Sequence, residues 1–287
     1  MSWRRGVVLK SARELSLMRN AGAINARALA AAMEVARPGA TTADIDAAAA
    51  EVLKKAGAAA AFKGYPGAYP YPAVTTVSVN DELVHGIPGP RRLISGDIVS
   101  VDCGSIVEGF VADSAITLAV GEISELAERL IETTCVALQA GIAAMRPENR
   151  TGDVSAAIQA YVEGSGFNVV REYTGHGVGR NMHEEPQVPN YGTAGRGLSL
   201  RPGMTIALEP MVLAGSAATR VADDRWTVAS LDGQLTAHFE HTVAVTAEGP
   251  LVLTTLEEGL DFDLPILYNE YFAGWPDRVM EGRSIQR

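Results

Sequence analysis

The sequence predicts an α+β fold of two similar halves, each made of helices packed on antiparallel strands, with a functional site between them. Three observations carry this. Capped, alanine-rich helical stretches alternate with β-branched stretches of period two. The stretch from Ile98 to Leu118 reads as two long strands joined by a turn near Val107, Glu108 and Gly109. Finally, a unit beginning Arg37-Pro38 and ending at Gly57 recurs 109 residues later as Arg146-Pro147 to Gly166. Seven of its 21 positions are identical (Arg, Pro, Thr, Asp, Ala, Ala, Gly), and loop, cap and stop keep register throughout, as a duplicated half-domain would.

The elements follow in order. Ser11-Ala-Arg-Glu14 is a capping box, and the helix it opens runs to about Ala36, before Pro38-Gly39. Thr41 or Thr42 caps a second helix that Gly57 ends. Phe62 to Pro72 is an aromatic loop, Ala73 to Val79 a strand, and Asn80-Asp81 a break. In the hairpin, Gly104 and Gly109 bracket the reversal, and folding about the midpoint of Val107 and Glu108 sets Asp102 opposite Asp113. Ser124 caps a helix to Met145, and Thr151 caps another that ends at Gly164 or Gly166. Strands are then predicted near Asn168–Tyr173, Met204–Glu209, Arg225–Leu231 and Leu235–Val245. Residues 1–255 read as one domain, with halves of about 11–120 and 121–255. The aromatic tail 256–287 is expected to pack on the surface or on a second subunit.

Composition narrows the function. A hydrophobic fraction of 47% supports a large core, and the net charge of −10 argues against a dedicated nucleic-acid binder. Two cysteines provide no disulfide framework and suit a reducing cytosol. Cys103 alternates away from Asp102 and reads as core. The apolar run near the N-terminus is too short for a signal peptide, and none approaches the ~18 residues of a membrane span. The expected location is cytoplasmic.

Strand alternation sorts the acids. Ser100 and Asp102 oppose Val99, Val101 and Cys103; Asp113, Ala115 and Thr117 oppose Ile116 and Leu118. Over Thr205–Val212, Thr205, Ala207 and Glu209 share a face. Over Thr236–Val245, His238, Glu240 and Thr242 do. Each strand thus has one apolar face and one small, polar face around a single acid. If the polar faces converge, Asp102, Asp113, Glu209 and Glu240 crowd together. Crowded buried carboxylates need cations, and oxygen ligands with imidazole suit divalent metals.

The motifs Val77-Ser-Val-Asn80-Asp-Glu-Leu-Val-His85-Gly-Ile-Pro88, Gly175-His176-Gly-Val-Gly-Arg180-Asn-Met-His183-Glu-Glu-Pro186, Pro202-Gly-Met-Thr-Ile-Ala-Leu-Glu209-Pro-Met and Phe239-Glu240-His241-Thr242, with Asp102 and Asp113, resemble the type I methionine aminopeptidases. The resemblance covers about residues 11 to 255 in the family's order. It implies the pita-bread (creatinase/aminopeptidase) fold, two pseudo-symmetric halves of helices on a curved antiparallel sheet. His176 and Glu209 are 33 residues apart, which leaves no room for the helical insert of the type II enzymes.

By resemblance, Asp102, Asp113, His176, Glu209 and Glu240 ligate two divalent ions drawn from Co, Mn, Fe, Zn or Ni. Asp113 and Glu240 bridge, Asp102 chelates one ion, and His176 with Glu209 holds the other. Aminopeptidases are among the hydrolases that use such pairs. His183 contacts the scissile carbonyl or its oxyanion, His85 lies near the substrate N-terminus, and Glu209 relays a proton. Tyr65, Tyr71, Thr76, Met182 and Trp226 line the methionine pocket, where Thr76 and Met182 replace the family's usual Cys and Phe. His238 stands where the family usually has Gln, and is expected behind the ligands or on the substrate side; His241 is expected to be structural.

The implied reaction is removal of N-terminal methionine from nascent proteins, preferably before a small second residue. The implied partners are nascent N-termini, with a transient ribosome contact, no membrane, no specific nucleic acid, and a monomeric chain. Two rivals are a proline-specific peptidase and a catalytically dead binding protein on the same scaffold. The first usually carries a large N-terminal domain and suits the Val84-His85-Gly-Ile-Pro88 context less well, and the second usually lacks a ligand.

Overall fold

The computed structural model describes residues 6–256. In chain order the elements are α1 (Ala12–Val35), α2 (Thr42–Lys55), β1 (Ala59–Ala60), β2 (Thr75–Val79), β3 (Glu82–Val84), β4 (Ile98–Val107), β5 (Phe110–Ala119), α3 (Glu125–Ala143), α4 (Thr151–Gly164), β6 (Asn168–Val169), β7 (Thr174–Gly177), β8 (Glu184–Pro189), β9 (Thr205–Leu208), β10 (Met211–Leu213), β11 (Thr219–Val221), β12 (Val228–Ser230), β13 (Thr236–His238), β14 (Glu240–Val245) and β15 (Pro250–Val252). The tail expected to pack on the surface or on a partner lies outside the described residues, apart from its first position.

Nine strands form one antiparallel sheet in the order β1-β4-β5-β14-β9-β7-β8, with β2 also on β4 and β15 on β14. The alternation read from the sequence decides what each face meets. Val99, Val101, Cys103, Ile116, Leu118, Ile206, Leu208, Val243 and Val245 join one buried cluster with residues of all four helices, among them Ile24, Ile45, Leu130 and Ile158. Burying a side chain of this size contributes roughly 1.5–3 kcal/mol, so this face holds the helices against the sheet.

The duplication is visible in hydrogen bonds. α2 and α4 both have 14 residues and start 109 positions apart. Asp44 Oδ2 accepts from the Thr41 N–H at 2.8 Å, and Asp153 Oδ2 from the Arg150 N–H at 2.8 Å. At the other end the Ala58 N–H reaches the Leu53 carbonyl at 3.0 Å, and the Phe167 N–H reaches that of Val162 at 3.2 Å. Both closures turn on a glycine in the left-handed region, Gly57 at φ 67° and Gly166 at φ 85°.

Three expectations need correction. The cap of α4 is Arg150, not Thr151. Thr151 is the first helical residue, and its hydroxyl accepts from the Leu198 N–H at 3.2 Å. In the hairpin, Val107 faces Phe110, so the turn sits on Glu108 (φ 49°) and Gly109 (φ 78°). Asp102 therefore lies opposite Ala115, and Asp113 opposite Gly104. The pairing slips by two, which keeps both acids on one face but makes them diagonal neighbours. Gly104 is consequently mid-strand.

The strands expected across Thr205–Val212 and Thr236–Val245 are each broken once. Pro210 has no N–H to pair, and the Phe239 N–H turns to the Pro210 carbonyl at 3.3 Å. Before Pro210 and after Phe239 the chain lies in the large sheet. On the other side of each break β10 and β13 pair in a small sheet with β6. Glu209 and Glu240 stand at this corner. The remaining strands expected in the second half are shorter than their β-rich stretches: Asn168–Val169, Thr205–Leu208 and Val228–Ser230.

A Cβ at Gly57 or Gly166 meets nothing within 4 Å, so only the backbone conformation resists a side chain there. Gly57→Ala and Gly166→Ala should each cost roughly 1–2 kcal/mol in urea unfolding of the intact chain. A change within error of zero at either position would contradict the cap geometry.

Candidate metal centre

Five adjacent strands of the large sheet each bring one donor to the same place. In sheet order, β4 carries Asp102, β5 Asp113, β14 Glu240, and β7 His176, while Glu209 directly follows β9, which lies between β14 and β7. Asp102, Ala115 and Glu240 form one row across three strands, and His176 faces Ala207, which faces Thr242. Thr242 Oγ1 accepts from the Asp113 N–H at 2.9 Å and donates to the Asp113 carbonyl at 2.9 Å. Small residues between the donors leave the acids room to converge. One donor atom each from Asp113, His176 and Glu240 lie within 4.8 Å of one another.

The electrostatics follow from this crowding. Burial, then the charges of Asp113 and Glu209, push Asp102 well above the usual carboxylate range. Burial raises Asp113 to about 7. Glu209 is raised by burial and then Asp113, and Glu240 by burial, Asp113, Asp102 and Glu209. Asp102 Oδ1, Asp113 Oδ1 and Glu240 Oε1 are buried with no hydrogen-bond partner among the described residues. Unpartnered buried carboxylate oxygens are costly.

The imidazole is oriented to match. His176 Nδ1 lies 3.0 Å from the Gly177 carbonyl, which can only accept, so Nδ1 carries the proton. Nε2 then presents its lone pair toward Glu209 Oε1, 3.4 Å away. Burial, then His183, lowers the His176 pKa to about 3, which keeps the ring neutral. Hard oxygens, a neutral imidazole and orphaned buried oxygens fit divalent metal, and Asp113, His176 and Glu240 form a buried group that could hold an ion.

Every residue predicted for the metal, catalytic and substrate sites lines one cavity of about 360 Å³, the five carboxylate and imidazole residues with His85, His183, Tyr65, Tyr71, Thr76, Met182 and Trp226, and His238 lines it too. The Tyr65 hydroxyl is 2.6 Å from His183 Nδ1, and the His183 and His176 ring centroids are 4.3 Å apart. His85 takes a left-handed backbone, φ 61°, and its ring meets Tyr173 and Trp226 edge-on. Burial, then His183, lowers it to about 4. Thr76 lies directly across from Asp102. Tyr71 donates to the Gly86 carbonyl at 2.8 Å and packs edge-on against Trp226 at 5.1 Å. His241 bonds Thr254 through Nδ1 at 2.8 Å, away from the cavity, in keeping with its expected structural role.

The sequence reading missed several wall residues. Phe62, Val84, Tyr173, Gln187 and Met211 also line the cavity. Phe62 opens the aromatic loop, and Tyr173 precedes Gly175-His176 by two, but neither has a chemical signature. Gly104 was assigned to the turn, yet it stands opposite Asp113. A Cβ there would lie 3.1 Å from both Met182 Cε and Phe62 Cε1, so the glycine makes room for the apolar wall.

A carboxylate–imidazole cluster that could hold metal, set in a largely apolar pocket, is the kind of site metal-dependent hydrolases use. The model of metallopeptidase family M24 matches residues 16–247. A methionine aminopeptidase of Clostridium perfringens is 47% identical over 251 residues, covering 88% of this chain and 100% of the relative. Methionine aminopeptidase 1 of Bacillus subtilis is 46% identical over 248 residues, covering 86% and 99%. The crystal structure of the methionine aminopeptidase of Thermotoga maritima superposes with a TM-score of 0.84 at 45% identity, covering 87% of this chain and 99% of that one. The chain belongs to metallopeptidase family M24 and, within it, to the methionine aminopeptidases. Its helices and antiparallel sheet are those of the pita-bread fold.

The raised acids make a pH prediction. The buried histidines, whose pKa values are lowered, add stability as an unfolded imidazole titrates near about 6.5, in the opposite sense to the carboxyls, so the carboxyl contribution is read as a difference against Asp113→Asn, in which the histidine contributions cancel. Asp113, held at about 7, keeps a proton in the folded state that the unfolded chain has lost. The metal-free wild type should therefore lose thermal stability relative to metal-free Asp113→Asn as pH rises from about 5 through 7. A difference in melting temperature that stays constant over this range would contradict the crowding.

Proposed function

We propose that this chain is the dinuclear, metal-dependent aminopeptidase that removes the N-terminal methionine of nascent proteins, preferring a small second residue. What supports this reading is that one carboxylate or imidazole from each of five adjacent strands, Glu209 coming just after its strand, lines a single largely apolar pocket. Residues 1–255 act as one catalytic unit. Its halves, about 11–120 and 121–255, contribute two and three ligands.

Asp102, Asp113, His176, Glu209 and Glu240 would hold two divalent ions from among Co, Mn, Fe, Zn and Ni. Bound divalent metal supplies Lewis acidity at the scissile carbonyl and acidifies a water molecule. The protein's own groups do the rest. With the Tyr65 hydroxyl as donor to Nδ1, His183 keeps its proton on Nε2, the tautomer that can stabilise an oxyanion. Glu209, at the cavity wall beside His176, relays a proton to the leaving amine. The acids attract the substrate's free α-ammonium, which restricts cleavage to the first residue. His85 sits at the substrate's N-terminal residue. Tyr65, Tyr71, Thr76, Met182 and Trp226 receive its side chain, and an unbranched thioether suits such an irregular aromatic pocket. Nascent N-termini are the partners. Transient ribosome contact, a monomeric state and a cytoplasmic setting belong to the same reading.

The test is release of the first residue from Met-Ala-Ser against Xaa-Pro peptides by the chelated and metal-restored protein. Methionine should be released, and only after metal is restored; release from Xaa-Pro peptides alone would transfer the chain to proline-specific chemistry. Asp102→Asn and Glu240→Gln should abolish turnover with the fold retained by circular dichroism. Unchanged activity in either would overturn its role as a ligand. His183→Ala should lower kcat by roughly 10²-fold or more. An effect on KM alone would contradict its place at the oxyanion.

A further inference from the structure

One buried ring at the centre has no task in the mechanism above. His238 ends β13, and its Nε2 is buried with no hydrogen-bond partner among the described residues. Its backbone is held on both sides: the His238 N–H donates to Thr117 Oγ1 at 2.8 Å, and Thr117 Oγ1 donates to the His238 carbonyl at 2.8 Å. The Ser100 hydroxyl, 2.8 Å from Thr117 Oγ1, supplies a further bond. The ring is thus anchored on the cavity wall.

His238 Nε2 is 3.8 Å from Glu209 Oε2 and 3.8 Å from Glu240 Oε2. That is too long for a hydrogen bond, whose N···O distance is ~2.7–3.2 Å. With the ring proton on Nδ1, the Nε2 lone pair would face two carboxylates and be repelled by both unless a cation stood between them. Each of these two pairs is within the reach of donors on one ion, because metal bonds of ~2.0–2.2 Å allow two donor atoms to stand up to about 4.2 Å apart; the donors already within 4.8 Å of one another are Asp113, His176 and Glu240, so His238 has to close on them for one ion to be shared. His176 Nε2 and Glu209 Oε1, already assigned to one ion, are 3.4 Å apart.

We propose that His238 is a second imidazole ligand of the centre, joining His176, Glu209 and Glu240 around one ion. The proposal rests on reading this cavity as a metal centre, and goes beyond the five ligands that reading names. A second imidazole makes that site richer in nitrogen, which favours Zn, Co and Ni over Mn.

The test compares the full chain with His238→Gln, which keeps a polar side chain but offers no ring nitrogen. Both are stripped with chelator, titrated with Co(II) by calorimetry, and loaded for cobalt-edge X-ray absorption. The wild type should show about one imidazole per cobalt averaged over two ions, falling to about half in His238→Gln. Affinity for one of the two ions should fall at least ~10-fold. His238→Ala should regain part of that affinity in added imidazole. An unchanged imidazole count with unchanged affinity would overturn the proposal while leaving the five-ligand centre standing. Failure of the wild type to take up cobalt would overturn both.

Discussion

Mutual repulsion among four carboxylates, three of them buried and the fourth partly so, is the constraint around which this molecule is arranged. Asp102, Asp113, Glu209 and Glu240 share one cavity, and the neighbouring charges add to burial in raising Asp102, Glu209 and Glu240. An arrangement of this kind is stable only if something else holds the backbone while the acids wait for cations. That support is the opposite face of the same strands. Cys103 and Leu208, each next to an acid, and Ile116 and Val243, each three residues beyond one, lock the sheet to the helices, and the apolar cluster there fixes the positions from which the polar face must project.

The corner between the two sheets adds the second requirement. Pro210 and Phe239 interrupt two neighbouring strands at the same level, and the chain changes sheet there. Glu209, just after β9, and Glu240, the first residue of β14, stand beside this bend, with His238 on its other side. The candidate centre thus draws Asp102, Asp113 and His176 from within strands and the rest from the corner. The pocket beyond it is walled by aromatic side chains from the loop after β1 and from the stretch before β12. Its width depends on the missing side chain of Gly104.

Much of this was legible in the sequence because period-two alternation places acids and aliphatics on opposite faces whatever the register. The hairpin shows the limit. A pairing slip of two residues left Asp102 and Asp113 on the correct face while moving each to a different partner, and alternation cannot detect an even slip. The repeat located α2 and α4 well, because the Asp44 and Asp153 caps and the Gly57 and Gly166 closures are local chemistry. It misplaced the α4 cap on Thr151, whose hydroxyl is engaged by a loop 47 residues away. The strand breaks at Pro210 and Phe239 were missed for a similar reason: a run of β-branched residues reads the same whether it stays in one sheet or crosses to another. Phe62, Tyr173 and Met211 were invisible as pocket residues because an apolar side chain in a wall differs from one in the core only by what it faces.

The most direct measurement is an anomalous-difference map from a crystal of the full chain grown with manganese. The account predicts two peaks enclosed by Asp102, Asp113, His176, Glu209 and Glu240. No density at that position, or those five side chains pointing to separate places, would contradict it.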